Sequence, residues 1–121
     1  MEEKKPMVNT QTKIQVVFYR EFEPGITSDR RYILRSHATI KLIRVVEFDV
    51  YGYKFMEELK VEDEIYLGTV DEDLDKVVGK LLKRIKEETQ EVVKKVSGAE
   101  KLVEELKDKY GYNVEVKLED I

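Results

Sequence analysis

The sequence predicts an α+β domain in which a mostly antiparallel sheet of four to five strands packs against a long helix or helix pair. Several segments within residues 13–68, and residues 112–118, alternate apolar and polar residues, which is the period of a strand. Between them, residues 71–110 carry apolar side chains three and four positions apart, which is the period of a helix. At 121 residues the chain is near the usual size of one domain. We therefore expect a flexible arm at 1–12 and a single domain at 13–121.

The alternating segments define the expected strands. In the first, the even-numbered residues Ile14, Val16 and Phe18 are apolar and are expected to face the core. No turn residue separates Ile40 from Val50, so the second and third segments form either two strands or one long strand with a bulge near Arg44. The expected strands are Lys13–Glu23, Arg30–Leu42, Ile43–Tyr53, Glu64–Gly68 and Tyr112–Leu118.

The helical segment has recognisable ends. Thr69 and Glu72 have the spacing of a capping box, which predicts a helix start. Gly111 is a natural helix end. Ser97 and Gly98 fall inside the pattern, so residues 71–110 form either one helix containing a glycine or two helices, the second capped by Ser97.

One apolar row in this segment repeats at 4-3 spacing from Val78 to Tyr110, which is typical of a coiled-coil seam. As a single helix the row would be about 50 Å long, longer than a compact domain of this size is wide. Part of it is therefore expected to meet another subunit, which gives a dimer or a larger oligomer. The residues predicted at this interface are Val78, Leu82, Ile85, Val92, Val96, Val103 and Leu106.

The composition narrows the class of protein. Charged residues make up 40% of the chain and cysteine is absent. Abundant Lys and Glu with few Asn and Gln are typical of proteins from hyperthermophiles. The absence of cysteine excludes disulfides, thiolate catalysis and zinc bound by cysteine. Since no apolar run is long enough to span a membrane and the first residues lack a signal-peptide core, we predict a cytoplasmic protein without membrane contact.

Residues that could perform catalysis form no recognisable constellation. The single histidine, His37, has no orienting partner in the sequence. The carboxylate clusters lie in polar, turn-like stretches, and the isolated glycines form no phosphate-binding loop. We therefore expect no enzyme activity, metal or cofactor, and keep a small nuclease using His37 and Arg35 as a third alternative.

Positive charge is concentrated in the predicted sheet. Residues 13–56 carry eight basic and five acidic residues, whereas residues 57–121 carry twelve and nineteen. If even-numbered strand residues face the core, the odd-numbered ones form an outward face of cations and aromatic rings, which single-strand nucleic-acid binders use for phosphates and bases. The residues predicted to bind nucleic acid are Tyr19, Arg31, Arg35, His37, Lys41, Tyr51 and Tyr53.

In the alternative interpretation, the charged residues of this outward face only form ordinary ion pairs between strands. The protein would then be an interaction or scaffold protein that binds its partner through the amphipathic helix.

An aromatic and basic sheet (Lys13–Tyr53) followed by a leucine-zipper-like helix (Leu74–Tyr110) resembles in layout the ThermoDBP family, which are single-stranded-DNA-binding proteins of thermophilic archaea. The resemblance implies a dimer or tetramer joined through helices, with single-stranded DNA or RNA on the sheet or in a cleft beside it. The predicted function is thus a non-catalytic single-strand nucleic-acid-binding protein of a thermophile that oligomerises through its helix.

Overall fold

A computed structural model describes residues 7–22 and 32–120 of the chain. Three strands form one antiparallel sheet in the order β1–β2–β3, and a short 3₁₀ turn leads from the sheet into a single helix, α1. The α+β class, the antiparallel sheet and the long helix are confirmed, whereas the described sheet has three strands rather than four or five. The elements are β1 (Val8–Phe22), β2 (Tyr32–Val50), β3 (Tyr53–Tyr66), the 3₁₀ turn (Leu67–Thr69) and α1 (Val70–Tyr110).

The first two strands are longer than the expected ones. β2 is one continuous strand of 19 residues, which settles the choice left open by the sequence. The pairing between β1 and β2 shifts register between Phe18 and Arg20 of β1, and not near Arg44 as expected. β1 begins at Val8, so residues 8–12 belong to a strand although they were expected in a flexible arm. The predicted loop at 26–29 lies outside the described residues.

β3 corrects the prediction most strongly, because a strand of 14 residues replaces a short strand at Glu64–Gly68. Its helix-facing residues include Leu59, Val61 and Ile65, but Glu57 and Asp63 occupy the same parity and hide the alternation. The strand expected at Tyr112–Leu118 is wrong, since no strand is present in the described residues after the helix.

A two-residue turn joins β2 to β3 and determines which side chains share a face. Tyr51 and Gly52 have φ values of 48° and 85°, the left-handed geometry that two-residue hairpin turns require. Val50 therefore pairs directly with Tyr53. As a result, the residues facing the helix are even-numbered in β1 and β2 but odd-numbered in β3.

The helix α1 is a single element of 41 residues that continues through Ser97 and Gly98. It begins directly after Thr69, but the predicted capping box does not form, because the Thr69 hydroxyl donates to the Asp73 carboxylate at 2.8 Å. Gly111 ends the helix as expected. It has a φ of 65°, and its N–H donates to the carbonyl of Lys107 at 3.1 Å.

The core lies between α1 and the strands β2 and β3, in two clusters. Leu81 and Ile85 of the helix pack in the first, and Val92 and Val96 pack against Val46 in the second. The sheet residues of the first cluster are Ala38, Ile40, Leu42, Val61 and Ile65. Three residues predicted at an oligomer interface, Ile85, Val92 and Val96, are therefore buried inside this chain.

Arg44 lies between the two clusters and ties three elements together. Its Nη1 donates to the Thr89 hydroxyl of α1 at 3.0 Å, and its Nε donates to the Thr12 hydroxyl of β1 at 2.8 Å. Apart from this link, α1 lies over β2 and β3 and leaves β1 largely uncovered. Within the described residues, no helix has both the length and the apolar character needed to cross a membrane.

Candidate binding surfaces

The face of the sheet opposite α1, here called the outer face, is the surface on which the sequence predicts nucleic acid. Three of the predicted residues, Tyr19, Arg35 and His37, meet at one end of this face. They line a shallow cavity of about 440 Å³, together with Ile33 and Glu64 among others. These three predicted residues therefore lie together on one surface.

The polar groups of this cavity are occupied by contacts within the chain. The Tyr19 hydroxyl lies 2.9 Å from the hydroxyl of Thr39. The His37 ring packs against Tyr66, with centroids 5.3 Å apart and planes inclined at 59°. Arg35 is paired with Glu21, its Nε lying 2.9 Å from the carboxylate oxygen. A phosphate at this cavity would have to compete with a carboxylate for Arg35.

The rest of the outer face is balanced in charge rather than basic. Lys41, a predicted phosphate contact, has its Nζ 3.5 Å from the Glu62 carboxylate. Lys60 pairs with Glu58 at 3.4 Å in the same way. These glutamates come from β3, which belongs to the acidic half of the sequence but lies beside the basic strand β2. The counts along the chain therefore overstated the positive charge of this face.

Tyr51 does not reach the outer face. It lies in the β2–β3 turn, and its hydroxyl is 3.1 Å from both the carbonyl oxygen of Glu100 and the carboxylate of Glu104. Lys107 Nζ lies 5.7 Å from the centre of the Tyr51 ring. Burial, the hydrogen bond to Glu104 and the negative charges of both glutamates raise the pKa of Tyr51 above its ordinary value. Tyr51 therefore connects the hairpin to the helix.

Tyr53 also lies on the helix side, because it pairs with Val50 across the two-residue turn. Its hydroxyl donates to the carbonyl of Val116, at 3.4 Å, in the segment that follows α1. The expectation that Tyr51 and Tyr53 share a face with Arg35 is thus wrong, since parity changes at the turn. Arg31 lies outside the described residues.

A second surface is formed by apolar side chains on the helix side of β1. Ile14, Val16 and Phe18 pair with β2 residues that face the core, so they point to the same side of the sheet as α1. They remain 61%, 49% and 60% exposed because α1 lies over the other two strands. The β1–α1 apolar surface comprises Ile14, Val16, Phe18, Phe22, Tyr32, Leu34 and Leu82.

The helix contributes to this surface along the flank that faces β1. Thr89 identifies the flank, because Arg44 joins its hydroxyl to Thr12 of β1. Leu82 precedes Thr89 by seven residues, or about two helical turns, so it lies on the same flank. It is about half exposed. Of the other predicted interface residues, Val78 and Val103 are partly buried and Leu106 is exposed.

Where β1 ends and β2 begins, a cation lies beside two aromatic rings. Phe22 packs edge-to-face on Tyr32, with centroids 6.1 Å apart. The guanidinium carbon of Arg20 lies 4.4 Å from the centre of the Tyr32 ring, within the range of a cation–π contact. Sequence reasoning missed this surface because it assigned the even-numbered residues of β1 to the core.

Searches against family models, curated proteins and solved structures found nothing similar to this chain. The layout resemblance to the ThermoDBP family stays a prediction. Among the described residues, no group of three or more histidine, aspartate and glutamate side chains is placed to hold a metal ion.

Proposed function

We propose that this chain is a protein-interaction module that binds through the β1–α1 apolar surface. The observation that carries the proposal is the exposure of seven large apolar side chains, each between 48% and 61% accessible, on one side of the sheet. The rings of Phe18, Phe22 and Tyr32 together leave roughly 300 Å² open to water, and the half-exposed aliphatic side chains add a comparable area. The largest apolar patch of a typical monomer is about 300–600 Å². This surface therefore lies at the upper end of that range.

The energy available for binding is sufficient but not excessive. Burying roughly 550 Å² at about 25 cal/mol per Å² is worth on the order of 14 kcal/mol before costs. Association and side-chain ordering consume about 4–15 kcal/mol of this. The apolar contribution therefore supports binding only if the partner fits the surface well, which is what gives such a surface selectivity.

A photo-crosslinking residue placed at Phe18 tests the proposal, with the same residue at Gln90 as the matched control. Gln90 is exposed on the back of α1, away from the sheet. We expect discrete protein adducts at position 18, either in the purified chain or in an extract of the source organism, and none at position 90. Equal or absent crosslinking at both positions would contradict the function.

A second candidate is the predicted binding of single-stranded nucleic acid, at the outer-face cavity. The convergence of Tyr19, Arg35 and His37 beside the exposed Tyr66 ring supports it, while Glu21 and Glu64 at the same cavity disfavour phosphate. If it operates, Arg35→Ala should reduce the slope of log affinity against log salt by roughly one. Tyr66→Ala should weaken binding by about 1–3 kcal/mol at nearly unchanged slope.

Fluorescence anisotropy with a labelled oligonucleotide at two salt concentrations measures both effects. Lys54→Ala is the matched control, because Lys54 is an exposed outer-face cation near the opposite end of β3 from the cavity. Absence of salt-sensitive binding at about 10 µM protein would remove this candidate.

A further inference from the structure

The two edges of the sheet differ in a way that identifies a binding edge. β3 carries seven charged residues in its 14 positions. On α1, Arg84 donates to the backbone carbonyl of Glu62 at 3.4 Å, and Lys80 pairs with Asp63 at 3.7 Å. Charge and cover of this kind prevent an edge strand from pairing with another chain. The β3 edge is therefore protected.

The β1 edge has neither form of protection among its described residues. From Val8 to Tyr19 it contains one charge, Lys13, and no proline, with many of the β-branched and aromatic residues that favour strands. The unpaired backbone groups of a long edge strand are a ready template for another strand. Apolar side chains line the helix side of this same strand, so one partner strand could satisfy both features.

The sequence of β1 is suited to pairing with itself. Ile14, Val16 and Phe18 are symmetric about Val16, so an antiparallel pair with its axis there places Val16 opposite Val16 and Ile14 opposite Phe18. On the outer face the same register places Lys13 opposite Tyr19, which avoids opposing like charges. An axis at Lys13 would instead set two ammonium groups against each other.

We infer that a second copy of this chain occupies the β1–α1 apolar surface, with the two β1 strands paired antiparallel about a two-fold axis near Val16. The two sheets become one sheet of six strands. The apolar rows of both β1 strands lie side by side in its centre, flanked by Leu82 from each helix. A two-fold contact of this kind closes on itself, which makes a dimer and leaves the charged β3 edges outermost. The inference rests on the proposed function, because it names the partner of the same surface.

Single-cysteine variants test the register without interference, because the natural chain has no cysteine. In the inferred dimer the two Val16 Cα atoms lie about 4.5–5.5 Å apart, within the range that a disulfide can bridge. Thr10 lies on the same face of the same strand, but its two copies would be about 40 Å apart. We expect Val16→Cys to form a covalent dimer at least tenfold faster than Thr10→Cys under mild oxidation at micromolar concentration.

A charged residue placed at the two-fold axis gives an independent test. In Val16→Lys the lysines of the two copies would face each other and repel, so sedimentation should show a dimer for the wild type and a 14.3 kDa monomer for the variant. Val16 is half exposed in the single chain, so circular dichroism should show an unchanged fold. Gln90→Lys, which adds the same charge on the back of α1 away from the sheet, is the control and should remain a dimer.

The outcomes separate this inference from the proposed function. A wild type that is monomeric at tens of micromolar, or a Val16→Cys that crosslinks no faster than Thr10→Cys, overturns the self-pairing. If Phe18 then crosslinks to a different protein in extract, the interaction function stands with another partner. If Phe18 crosslinks to nothing, both the inference and the function fail.

Discussion

Leu82 and Ile85 lie three positions apart on α1 and test whether its two apolar faces have separate roles. One face packs in the core of the single chain, and the other lies on the flank towards β1. Ile85 is fully buried in the first core cluster, whereas Leu82 is 48% exposed on the flank facing β1. The sequence pattern assigned both to one oligomer seam. The structure assigns Ile85 to folding of the single chain and leaves Leu82 free to contact a partner.

The magnitudes follow from burial. Ile85→Ala removes three carbons from a closed site, which costs about 2.4 kcal/mol of transfer free energy and, with the cavity left behind, about 2–5 kcal/mol of unfolding free energy. Leu82→Ala removes a similar number of carbons from a half-exposed position and leaves no closed cavity. Its cost to the single chain should be about 1 kcal/mol or less.

Urea unfolding followed by circular dichroism at two protein concentrations separates these effects. The loss caused by Ile85→Ala should be present at both concentrations. The loss caused by Leu82→Ala should grow at the higher concentration, because only the assembled form buries Leu82. Equal losses of unfolding free energy for the two variants, at a concentration where the chain is monomeric, would refute the assignment of Ile85 to the core and of Leu82 to a partner contact.

Three further changes have defined outcomes. Gly79→Ala and Gly98→Ala should each raise the unfolding free energy by about 1 kcal/mol in calorimetry, since a new Cβ meets nothing within 4 Å at either position; a loss of stability would contradict the uninterrupted helix. Arg44→Met should lower stability in urea by about 1–3 kcal/mol because two charged hydrogen bonds are lost, and a neutral result would show that the Arg44 link is not stabilising. Because the folded state raises the Tyr51 pKa, the stability gained from that hydroxyl is complete below its ordinary pKa and is lost as pH rises through the raised value. The thermal midpoints of wild type and Tyr51→Phe should therefore converge above about pH 10, and a constant gap up to pH 11.5 would count against the hydrogen bond to Glu104.

The sequence predicts the elements with strong local signals. The 3.6-residue period of α1 is clear from Val70 onward, and the αL glycine at its end is the usual helix terminator. The residues of β2 were recognised as strand because they alternate, and the lack of a turn residue between Ile40 and Val50 allowed one long strand without deciding for it. In both cases the pattern arises within one segment, so no knowledge of its neighbours is needed.

The features that could not be predicted from the sequence depend on contacts between segments. β3 could not be recognised from its sequence because Glu57 and Asp63 occupy helix-facing positions. β3 is an edge strand of the sheet, so acidic side chains at these positions still reach water. The parity change at Tyr51 required knowing that the turn has two residues. The open face of β1 required knowing that one helix covers two strands of three. None of these facts has a signature in a single segment.

The length of α1 has a consequence for the form of the molecule in solution. A helix of 41 residues spans about 60 Å, and the 19 residues of β2 that it follows span a similar distance. A body of that length has a radius of gyration of at least about 17 Å, compared with roughly 14 Å for a compact chain of this size. Joining two such bodies antiparallel about Val16 offsets their helices, because Val16 pairs with Ile40 near the start of α1, whereas Thr89, in the middle of α1, already contacts Arg44 further along β2. In X-ray scattering, the inferred dimer should therefore be both wider and longer than one chain, with a longest dimension of about 90 Å.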